Sequence, residues 1–308
     1  MPELSVVIPT FRRHEVLART LDALDRQTAG LTSLEVLVVD DAQEDDPDAV
    51  ARAVDAERRP YPVRQLHRER PGVSAARNAG WRAAAAPLVL FLGDDMLSSP
   101  TLVAEHLDWH RRHPEAEVAV LGHVSWAREL RVTGFMRWLE DGIQFDYSTL
   151  EGSEASWTHF YASNLSIKRA LLDRSGGFDE ERFPFGYEDL DLGRRLADLG
   201  MRLLYVREAE VEHLHLSTLE DWRGRMRVVA GAERRWVELH PELTPWFHDR
   251  LAEAAARRRV PRALGDLAAR VPRQVPVLGR RGRALADTYF LQQLAPDFMS
   301  AWGRTEAR

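Results

Sequence analysis

The sequence predicts an α/β protein with a mostly parallel sheet flanked by helices, followed by a helical extension. Three observations support this class. Short apolar runs alternate with helical segments through residue 121, polar residues follow three of those runs, and the last ninety residues are mainly helical. Parallel strands joined by helices bind ligands beyond their carboxyl ends. We therefore expect a ligand site at one edge of the sheet.

The alternation can be followed element by element. The run LSVVIP is typical of a strand buried in a parallel sheet. The next segment has apolar residues at helical spacing, and the acidic residues 44–48 suit the N-terminus of a second helix. Strands are predicted at 4–9, 34–39, 62–67, 88–92 and 117–121, and helices at 14–27, 44–57, 74–86 and 101–112.

Composition limits the function classes. The chain has 308 residues, of which 44% are hydrophobic and 29% charged, as in a soluble enzyme of one large or two smaller domains. No apolar run approaches the roughly 20 residues that span a bilayer. The opening MPELSVVIPTF predicts a strand and lacks the basic start of a secretory signal. Zero cysteines exclude thiolate chemistry. We expect a cytoplasmic protein.

Charge is distributed unevenly along the chain. The net charge is -6, yet residues 249–308 contain 12 Arg and 6 acidic residues. The remaining acidic body argues against nucleic acid as a partner.

Polar residues end three of the predicted strands: Thr10-Phe11-Arg12-Arg13, Asp40-Asp41 and Asp94-Asp95. Neither a G-x-G-x-x-G nor a G-x-x-x-x-G-K-[ST] motif is present, so phosphate is handled in another way. Hard carboxylate oxygens suit Mg²⁺ or Mn²⁺. Asp94-Asp95 is therefore predicted to carry a divalent cation that neutralises a leaving diphosphate. The alternative for this pair and for Asp40-Asp41 is a structural role, since Asp is common at turns and helix caps.

A further carboxylate is predicted at a helix N-terminus near residue 188. Leu192, Leu196 and Leu199 form the inward stripe of this helix, and Asp189 lies on the same side. Asp191 instead aligns with Arg195 and Asp198 on what should be a solvated face. The alternative for Asp189 is an acid favoured by the helix dipole alone.

Five segments occur in an order that resembles the inverting family 2 nucleotide-sugar glycosyltransferases of GT-A (Rossmann-like) fold: SVVIPTFRR, VLVVDDA, RPGVSAARNAGWRAA, LVLFLGDDM and GGFDEERFPFGYEDLDLGRRL. The resemblance covers roughly residues 4–215. It implies metal-dependent transfer from a nucleoside-diphosphate sugar, UDP by default with dTDP and GDP left open. The acceptor hydroxyl would belong to a glycan, a lipid carrier or a small molecule.

The resemblance also implies nucleotide-binding residues. The positions that would line or flank the nucleotide are Pro9, Thr10, Phe11, Arg13, Asp41, Arg70, Arg77 and Asn78. Asp41 would bind the base, and Asn78 has a local loop hydrogen bond as its alternative role. Asp94 would lie near the ribose and Asp95 on the metal. Gly93 departs from the family, whose members often have another Asp there.

The remaining implied residues belong to catalysis and to the acceptor. Asp189 would be the general base, and Glu188 would orient the acceptor or the base. His213 is favoured over His215 as the histidine that joins the metal or the diphosphate. Trp157, in an aromatic region without periodicity, is a candidate platform for a sugar ring. Residues 162–166 are predicted to return to the sheet as a strand.

The predicted domains are a catalytic domain at 1–215 and a helical extension at 216–308. The first divides into a nucleotide-binding half, 1–122, and an acceptor half, 123–215. The extension contains a helix at 219–239 and another from Pro241. We favour its packing on the catalytic domain or a second subunit over an anionic inner membrane surface.

Two other functions remain open at this point. One is a nucleotide-sugar-binding scaffold without turnover, suggested by Gly93 and the unusual tail. The other is a nucleotidyltransferase, which is disfavoured because such enzymes usually need a glycine- and lysine-rich phosphate loop near the start of the chain, and Lys168 is the sole lysine.

Overall fold

The computed structural model describes residues 1–28, 30–40, 48–67, 72–140, 142–150, 153–271 and 276–303. These residues divide into two compact units. The first unit consists of Met1–Leu130 and Thr149–His215, and the second of Arg131–Ser148 and Leu216–Arg308. Segment 131–148 thus belongs to the same unit as the C-terminal helices.

The first unit is built on one sheet. Its strands are β1 (Leu4–Thr10), β2 (Leu34–Asp40), β3 (Val63–His67), β4 (Leu88–Leu92), β5 (Met96–Ser98), β6 (Val118–Trp126), β7 (Glu154–Ala155), β8 (Asn164–Lys168) and β9 (Arg202–His213). The strand order is β3-β2-β1-β4-β8-β6-β9-β5, and β7 also pairs with β9. The α/β fold class is confirmed, and the first four predicted strands are present within two residues of their expected limits.

The sheet is mixed, which corrects the expectation of a mostly parallel sheet. Strands β1, β2, β3 and β4 pair in parallel, and so do β6 and β9. Strand β8 runs antiparallel to both β4 and β6, and β5 and β7 run antiparallel to β9. The early strand–helix alternation predicts parallel pairing correctly. It carries no information on β8, which enters the sheet after the aperiodic region.

The described residues form eleven α-helices. They are α1 (His14–Leu24), α2 (Ala49–Val54), α3 (Val73–Ala83), α4 (Leu102–Arg112), α5 (Gly134–Leu139), α6 (Arg169–Ser175), α7 (Glu188–Asp198), α8 (Leu219–Leu239), α9 (Trp246–Ala256), α10 (Arg262–Ala268) and α11 (Pro276–Trp302). No described helix is both long enough and apolar enough to cross a membrane.

Close packing of α3 on β1 depends on one glycine. A Cβ atom at Gly80 would lie 2.3 Å from Cγ1 of Val7. The glycine therefore lets the helix backbone approach the sheet more closely than any other residue allows. This approach fixes the position of the α3 side chains at the sheet edge.

A bulge interrupts the pairing of β6 with β9. The register shifts between Gly122 and His123, so that His123 pairs with Glu210. The amide of Asn164 on β8 spans the irregularity and donates to the carbonyls of His123 (3.1 Å) and Ala209 (2.8 Å). The bulge sets the register of the end of β9, which carries His213.

The second unit is helical, as predicted for the extension. Helix α8 spans the predicted residues, and Thr218 and Asp221 form a reciprocal capping box at its start. The helix predicted from Pro241 begins at Trp246 instead. Aromatic rings from α5, α8 and α11 pack together in this unit: Phe135, Trp138, Trp222 and Phe290.

Candidate functional site

An acidic pair occupies the turn between β4 and β5. Asp94 and Asp95 are 6% and 5% exposed. The turn is closed by a hydrogen bond from the Met96 amide to the Gly93 carbonyl (3.3 Å). A Cβ atom at Gly93 would lie 3.1 Å from both Oδ1 of Asp95 and Cγ of Met96. Space here is tight, so the glycine makes room for the Asp95 carboxylate.

Residues of the first strand and helix contact this pair. Thr10 donates from Oγ1 to Oδ2 of Asp94 (2.9 Å), and Thr20 donates from Oγ1 to the Asp94 carbonyl (2.7 Å). The Arg13 guanidinium lies 3.1 Å from Oδ1 of Asp94 and 2.6 Å from Oδ2 of Asp95. Thr10 and Arg13, predicted to line the nucleoside pocket, thus lie on the acidic pair. Sequence reasoning missed Thr20, whose position on the inner face of α1 was the available signal.

The two carboxyls differ electrostatically. Burial, together with the neighbouring charge of Asp95, raises the pKa of Asp94 to about 6. Burial also acts to raise the pKa of Asp95. Hydrogen bonding and charge from His213 and Arg13 outweigh it, so the pKa of Asp95 lies below its usual value. The site therefore concentrates negative charge on Asp95.

His213 contacts the acidic pair from the end of β9. Antiparallel pairing of β5 and β9 places His213 opposite Met96, and its Nε2 lies 3.0 Å from Oδ2 of Asp95. The ring stacks on Trp126 (centroids 5.2 Å apart) and on His215 (5.7 Å). His213, the histidine favoured from the sequence, therefore contacts Asp95 directly. Trp126 was missed because it resembled the other scattered aromatic residues.

Asp95 and His213 are the side chains here that could hold a divalent cation. Among the described residues, no three His, Asp or Glu side chains are grouped as a complete metal site. Asp95 and His213 together offer a carboxylate and an imidazole, and Mg²⁺-type sites commonly add substrate phosphates and waters to one or two protein ligands. The Arg13 guanidinium between Asp94 and Asp95 shows that the pair stabilises positive charge. These residues fit a cation shared with a bound diphosphate.

Asp189 lies in the first turn of α7. The helix is preceded by Tyr187, whose φ of 66° is left-handed and turns the chain into it. Oδ1 of Asp189 lies 3.0 Å from the guanidinium of Arg77, and Oδ2 accepts from the Ala162 amide (3.0 Å). Its side chain is 25% exposed. Oε1 of the neighbouring Glu188 lies 3.1 Å from the same Arg77 nitrogen.

Two consecutive residues connect Asp189 to the acidic turn. Ala162 donates to Asp189, and the next residue, Ser163, accepts at its carbonyl from the Gly93 amide (3.1 Å). The segment before β8 therefore lies between the two groups of carboxylates. The structure thus brings acidic residues about ninety positions apart to the same edge of the sheet.

The prediction for Asp191 was wrong. The residue is 6% exposed rather than solvated, and it accepts two hydrogen bonds from Arg195 (2.9 and 2.6 Å). Arg195 also donates to the carbonyls of Ser175 and Gly177. The loop after α6 covers this face of α7, and an i,i+4 ion pair has the same spacing whether solvent or a loop lies over it.

Asn78 was predicted to flank the nucleotide, with a loop hydrogen bond as the alternative. It is fully buried, donates to the Phe178 carbonyl (2.9 Å), and accepts from the Phe178 amide (3.0 Å) and the Trp81 indole (2.8 Å). These are the local hydrogen bonds of the alternative role, and the nucleotide role stays a prediction. Its neighbour Arg77 contacts Asp189 and Glu188, as described above.

Pro9, Phe11 and Trp157 lie within the described residues. Pro9 is the second-last residue of β1 and pairs with Val39, and Phe11, directly after the strand, is 50% exposed. Trp157 is half-buried, and its carbonyl lies so close to α7 that a Cβ at Gly193 would be 2.7 Å away. Asp41 and Arg70 lie outside the described residues.

The mixed sheet flanked by helices is a fold of GT-A type. The sequence model described as glycosyl transferase family 2 matches residues 5–170, more than half of the chain. The chain belongs to this family.

Curated relatives agree with the family assignment. The chain is similar to validoxylamine A glucosyltransferase of Streptomyces hygroscopicus subsp. jinggangensis, with 32% identity over 278 residues, 80% of this chain and 63% of the relative. The corresponding protein of subsp. limoneus is 31% identical and is covered to 58%. The chain therefore spans about three fifths of the length of these relatives.

Solved structures show the same fold. The mannosyltransferase PcManGT from Pyrobaculum calidifontis, in complex with GDP-Man and Mn²⁺, has a TM-score of 0.62 at 20% identity, covering 97% of this chain and 87% of that one. TarS 1–349 of S. aureus, in complex with UDP-GlcNAc, has a TM-score of 0.56 at 18% identity, covering 98% and 90%.

Proposed function

We propose that this protein is a metal-dependent inverting glycosyltransferase that moves a sugar from a nucleoside-diphosphate sugar to an acceptor hydroxyl. One observation carries the proposal. The segment Ala162–Ser163 is bonded on one side to Asp189 and on the other to the turn of the acidic pair. Groups suited to a diphosphate and a group suited to removing a proton therefore share one sheet edge.

The donor is proposed to be a sugar linked to UDP, with GDP as the next candidate. Family membership and the two solved neighbours, with GDP-Man and with UDP-GlcNAc, support a nucleotide sugar of this kind. The exposed ring of Phe11, just past β1, offers a flat apolar surface for the base. Pro9 would form the adjoining wall.

Asp95 and His213 would hold a Mn²⁺ or Mg²⁺ ion. Such an ion supplies positive charge that stabilises the departing diphosphate. The protein's own contribution is to hold the Asp95 carboxylate ionised through Arg13 and His213, and to fix Asp94 through Thr10. These fixed charges need no rearrangement while the leaving group departs.

Asp189 is proposed as the general base. Its carboxylate is part-exposed and held at both oxygens, so it can accept the acceptor's proton in one orientation. Attack by the activated hydroxyl on the face opposite the diphosphate inverts the anomeric carbon. The proton ends on Asp189 and the nucleoside diphosphate leaves with the bonding electrons.

The acceptor side is proposed to include Trp157 and Glu188. Trp157 lies against α7, the helix that carries Asp189 and Glu188. The name of the similar validoxylamine A glucosyltransferase supports a hydroxylated small molecule as the first acceptor to test. Glucose is accordingly the first sugar to test.

The experiment compares Asp189→Asn with Asp198→Asn, an exposed carboxylate on the same helix. UDP-glucose, UDP-GlcNAc and GDP-mannose are supplied with Mn²⁺, and released nucleoside diphosphate is measured. We expect Asp189→Asn to bind nucleotide as the wild type does in calorimetry but to lose turnover. Asp198→Asn should remain active.

Three results would count against the proposal, each against a different part of it. Normal turnover in Asp189→Asn would remove the base assignment. Release of pyrophosphate instead of nucleoside diphosphate would indicate a nucleotidyltransferase, and nucleotide binding without any turnover would indicate a scaffold.

A further inference from the structure

Arg77 on α3 occupies the centre of a buried polar cluster beneath Asp189. The residue is 8% exposed. One guanidinium nitrogen, NH1, lies 3.0 Å from Oδ1 of Asp189 and 3.1 Å from Oε1 of Glu188. The other, NH2, donates to the Ala162 carbonyl (3.3 Å). One side chain therefore joins α3, α7 and the segment before β8.

The contacts around Asp189 form a closed ring. Arg77 donates to the carbonyl of Ala162, the amide of Ala162 donates to Oδ2 of Asp189, and Oδ1 of Asp189 returns to Arg77. Each carboxylate oxygen has a different donor, which restricts rotation of the group. The side chain remains 25% exposed, so part of the carboxylate faces solvent.

The Arg77 guanidinium packs against an aromatic ring, that of Phe178. It lies 5.3 Å from the centroid of this ring. The backbone of Phe178 is held by the amide side chain of Asn78, which both donates to it and accepts from it. Asn78 therefore holds the backbone of Phe178 in place, and the Phe178 ring packs against the guanidinium of Arg77, the residue next to Asn78 on α3.

From this arrangement we infer that Arg77 is a positioning residue for Asp189 and not a nucleotide ligand, an inference that rests on the proposed role of Asp189 as the base. A cation 3.0 Å away favours the ionised carboxylate. The planar guanidinium also orients the Asp189 carboxylate, which the single ammonium group of a lysine would do less well. In the part of the chain that the structure describes, the charged side chains of this cluster include Arg77 from α3 and Glu188 from α7, and the segment before β8 contributes the Ala162 amide.

Loss of a positioning residue should lower kcat and leave UDP affinity unchanged, whereas loss of a nucleotide ligand should lower UDP affinity. Arg77→Met removes the charge but keeps much of the side-chain length. Arg77→Lys keeps the charge but replaces the planar guanidinium with a single ammonium group. Arg82→Met is the matched control on α3, because Arg82 is about half exposed and pairs with Glu180. Each variant is assayed for UDP affinity by calorimetry and for kcat and KM between pH 5 and 9 with the donor that the wild type uses.

We expect Arg77→Met to bind UDP within twofold of the wild type, which also shows that it is folded. Its kcat should fall about 100-fold, within the contribution usual for a general base. The acidic limb of its pH–rate profile should move to higher pH. Arg77→Lys should recover part of the rate and most of the pH profile, and Arg82→Met should match the wild type.

Other results would overturn the inference. A tenfold loss of UDP affinity with unchanged kcat would make Arg77 a nucleotide ligand. A lower kcat with an unmoved pH profile in both Arg77 variants would indicate a structural role alone. Either result would reject the role of Arg77 alone, provided that turnover is still lost in Asp189→Asn. Full turnover in Asp189→Asn would instead refute the proposed base, and the inference with it.

Discussion

Nε2 of His213 lies 3.0 Å from Oδ2 of Asp95, although 118 positions separate the two residues. Pairing of Met96 with His213 brings them together, and stacking on Trp126 orients the imidazole. If these two side chains hold the cation, His213→Ala should weaken Mn²⁺ binding at least about tenfold, since even residues that merely support metal ligands contribute that much. Calorimetric titration with Mn²⁺ in the presence of UDP measures the affinity.

His215→Ala is the matched control for this experiment. His215 stacks on His213 with ring centroids 5.7 Å apart, so its removal disturbs packing at the same place. We expect a small change in Mn²⁺ affinity. A larger loss in His215→Ala than in His213→Ala would reverse the assignment of the metal ligand.

Arg13 neutralises both members of the acidic pair, which gives a second prediction. Arg13→Met leaves two buried carboxylates without that cation, and we expect the melting temperature to fall. Because Arg13 is one-third exposed, the cost should be modest, about 1–2 kcal/mol. Added Mn²⁺ should raise the melting temperature of Arg13→Met more than that of the wild type, because the ion replaces the lost charge.

Arg19→Met controls for the loss of an arginine from α1. Its pair with Glu129 is exposed, so we expect almost no change in melting temperature with or without Mn²⁺. An Arg13→Met protein that melts like the wild type and responds equally to Mn²⁺ would show that Arg13 does not neutralise the pair.

The early strands and the acidic motifs were predictable because both depend on local sequence. Apolar runs define β1, β2 and β4, and the polar residues that follow them must lie at one edge of a parallel sheet. The orientation of α7 was partly predictable from its leucine stripe. Asp191 shows the limit, since the loop at Ser175–Gly177 that covers it is distant in sequence.

What the sequence alone could not supply was the partners of the predicted site residues. Arg13 and Arg77 were both expected at the nucleotide, but the structure pairs one with Asp94 and Asp95 and the other with Asp189. A motif indicates that an arginine is present and on which element. Which carboxylate it meets depends on long-range packing, which has no local periodicity.

A buried histidine pair gives a prediction for pH. His106 lies 3.0 Å from Oδ1 of Asn164 through Nε2 and 2.8 Å from Oγ of Ser166 through Nδ1, and Nε2 of His110 lies 2.9 Å from the same hydroxyl. The Asn164 oxygen must accept, so His106 carries its proton on Nε2. Its Nδ1 then accepts from Ser166, and His110 donates to Ser166. Both rings are neutral in this network.

Burial lowers the pKa of His106 to about 4, and burial together with the charge of Lys168 lowers the pKa of His110 to about 3. The unfolded chain therefore binds protons near pH 6.5 that the folded chain does not. The free energy of unfolding should be at its full value above pH 6.5 and fall as pH drops toward 4. His106 alone would account for a loss on the order of 3 kcal/mol.

Urea denaturation at several pH values measures this loss. His106→Gln should be less stable at pH 7 but show a shallower decline between pH 6.5 and 4.5, because one of the two titrating groups is gone. His159→Gln, at a less buried histidine, should keep the wild-type slope. An equal slope in His106→Gln and the wild type would show that carboxylates, and not this pair, govern the decline.

The bulge beside Asn164 supports a last prediction, because it sets the register of the strand that ends at His213. A Cβ at Gly122 would lie 2.2 Å from Nδ2 of Asn164 and 2.4 Å from the Ala209 carbonyl. Gly122→Ala should therefore cost about 1–3 kcal/mol of stability by overpacking, and it should weaken Mn²⁺ binding by displacing the end of β9. Gly224→Ala, with no heavy atom within 4 Å of its new Cβ, should instead stabilise α8 by about 0.5–1 kcal/mol. If Gly122→Ala left both unfolding and Mn²⁺ affinity unchanged, the bulge would have no part in holding His213 against Asp95.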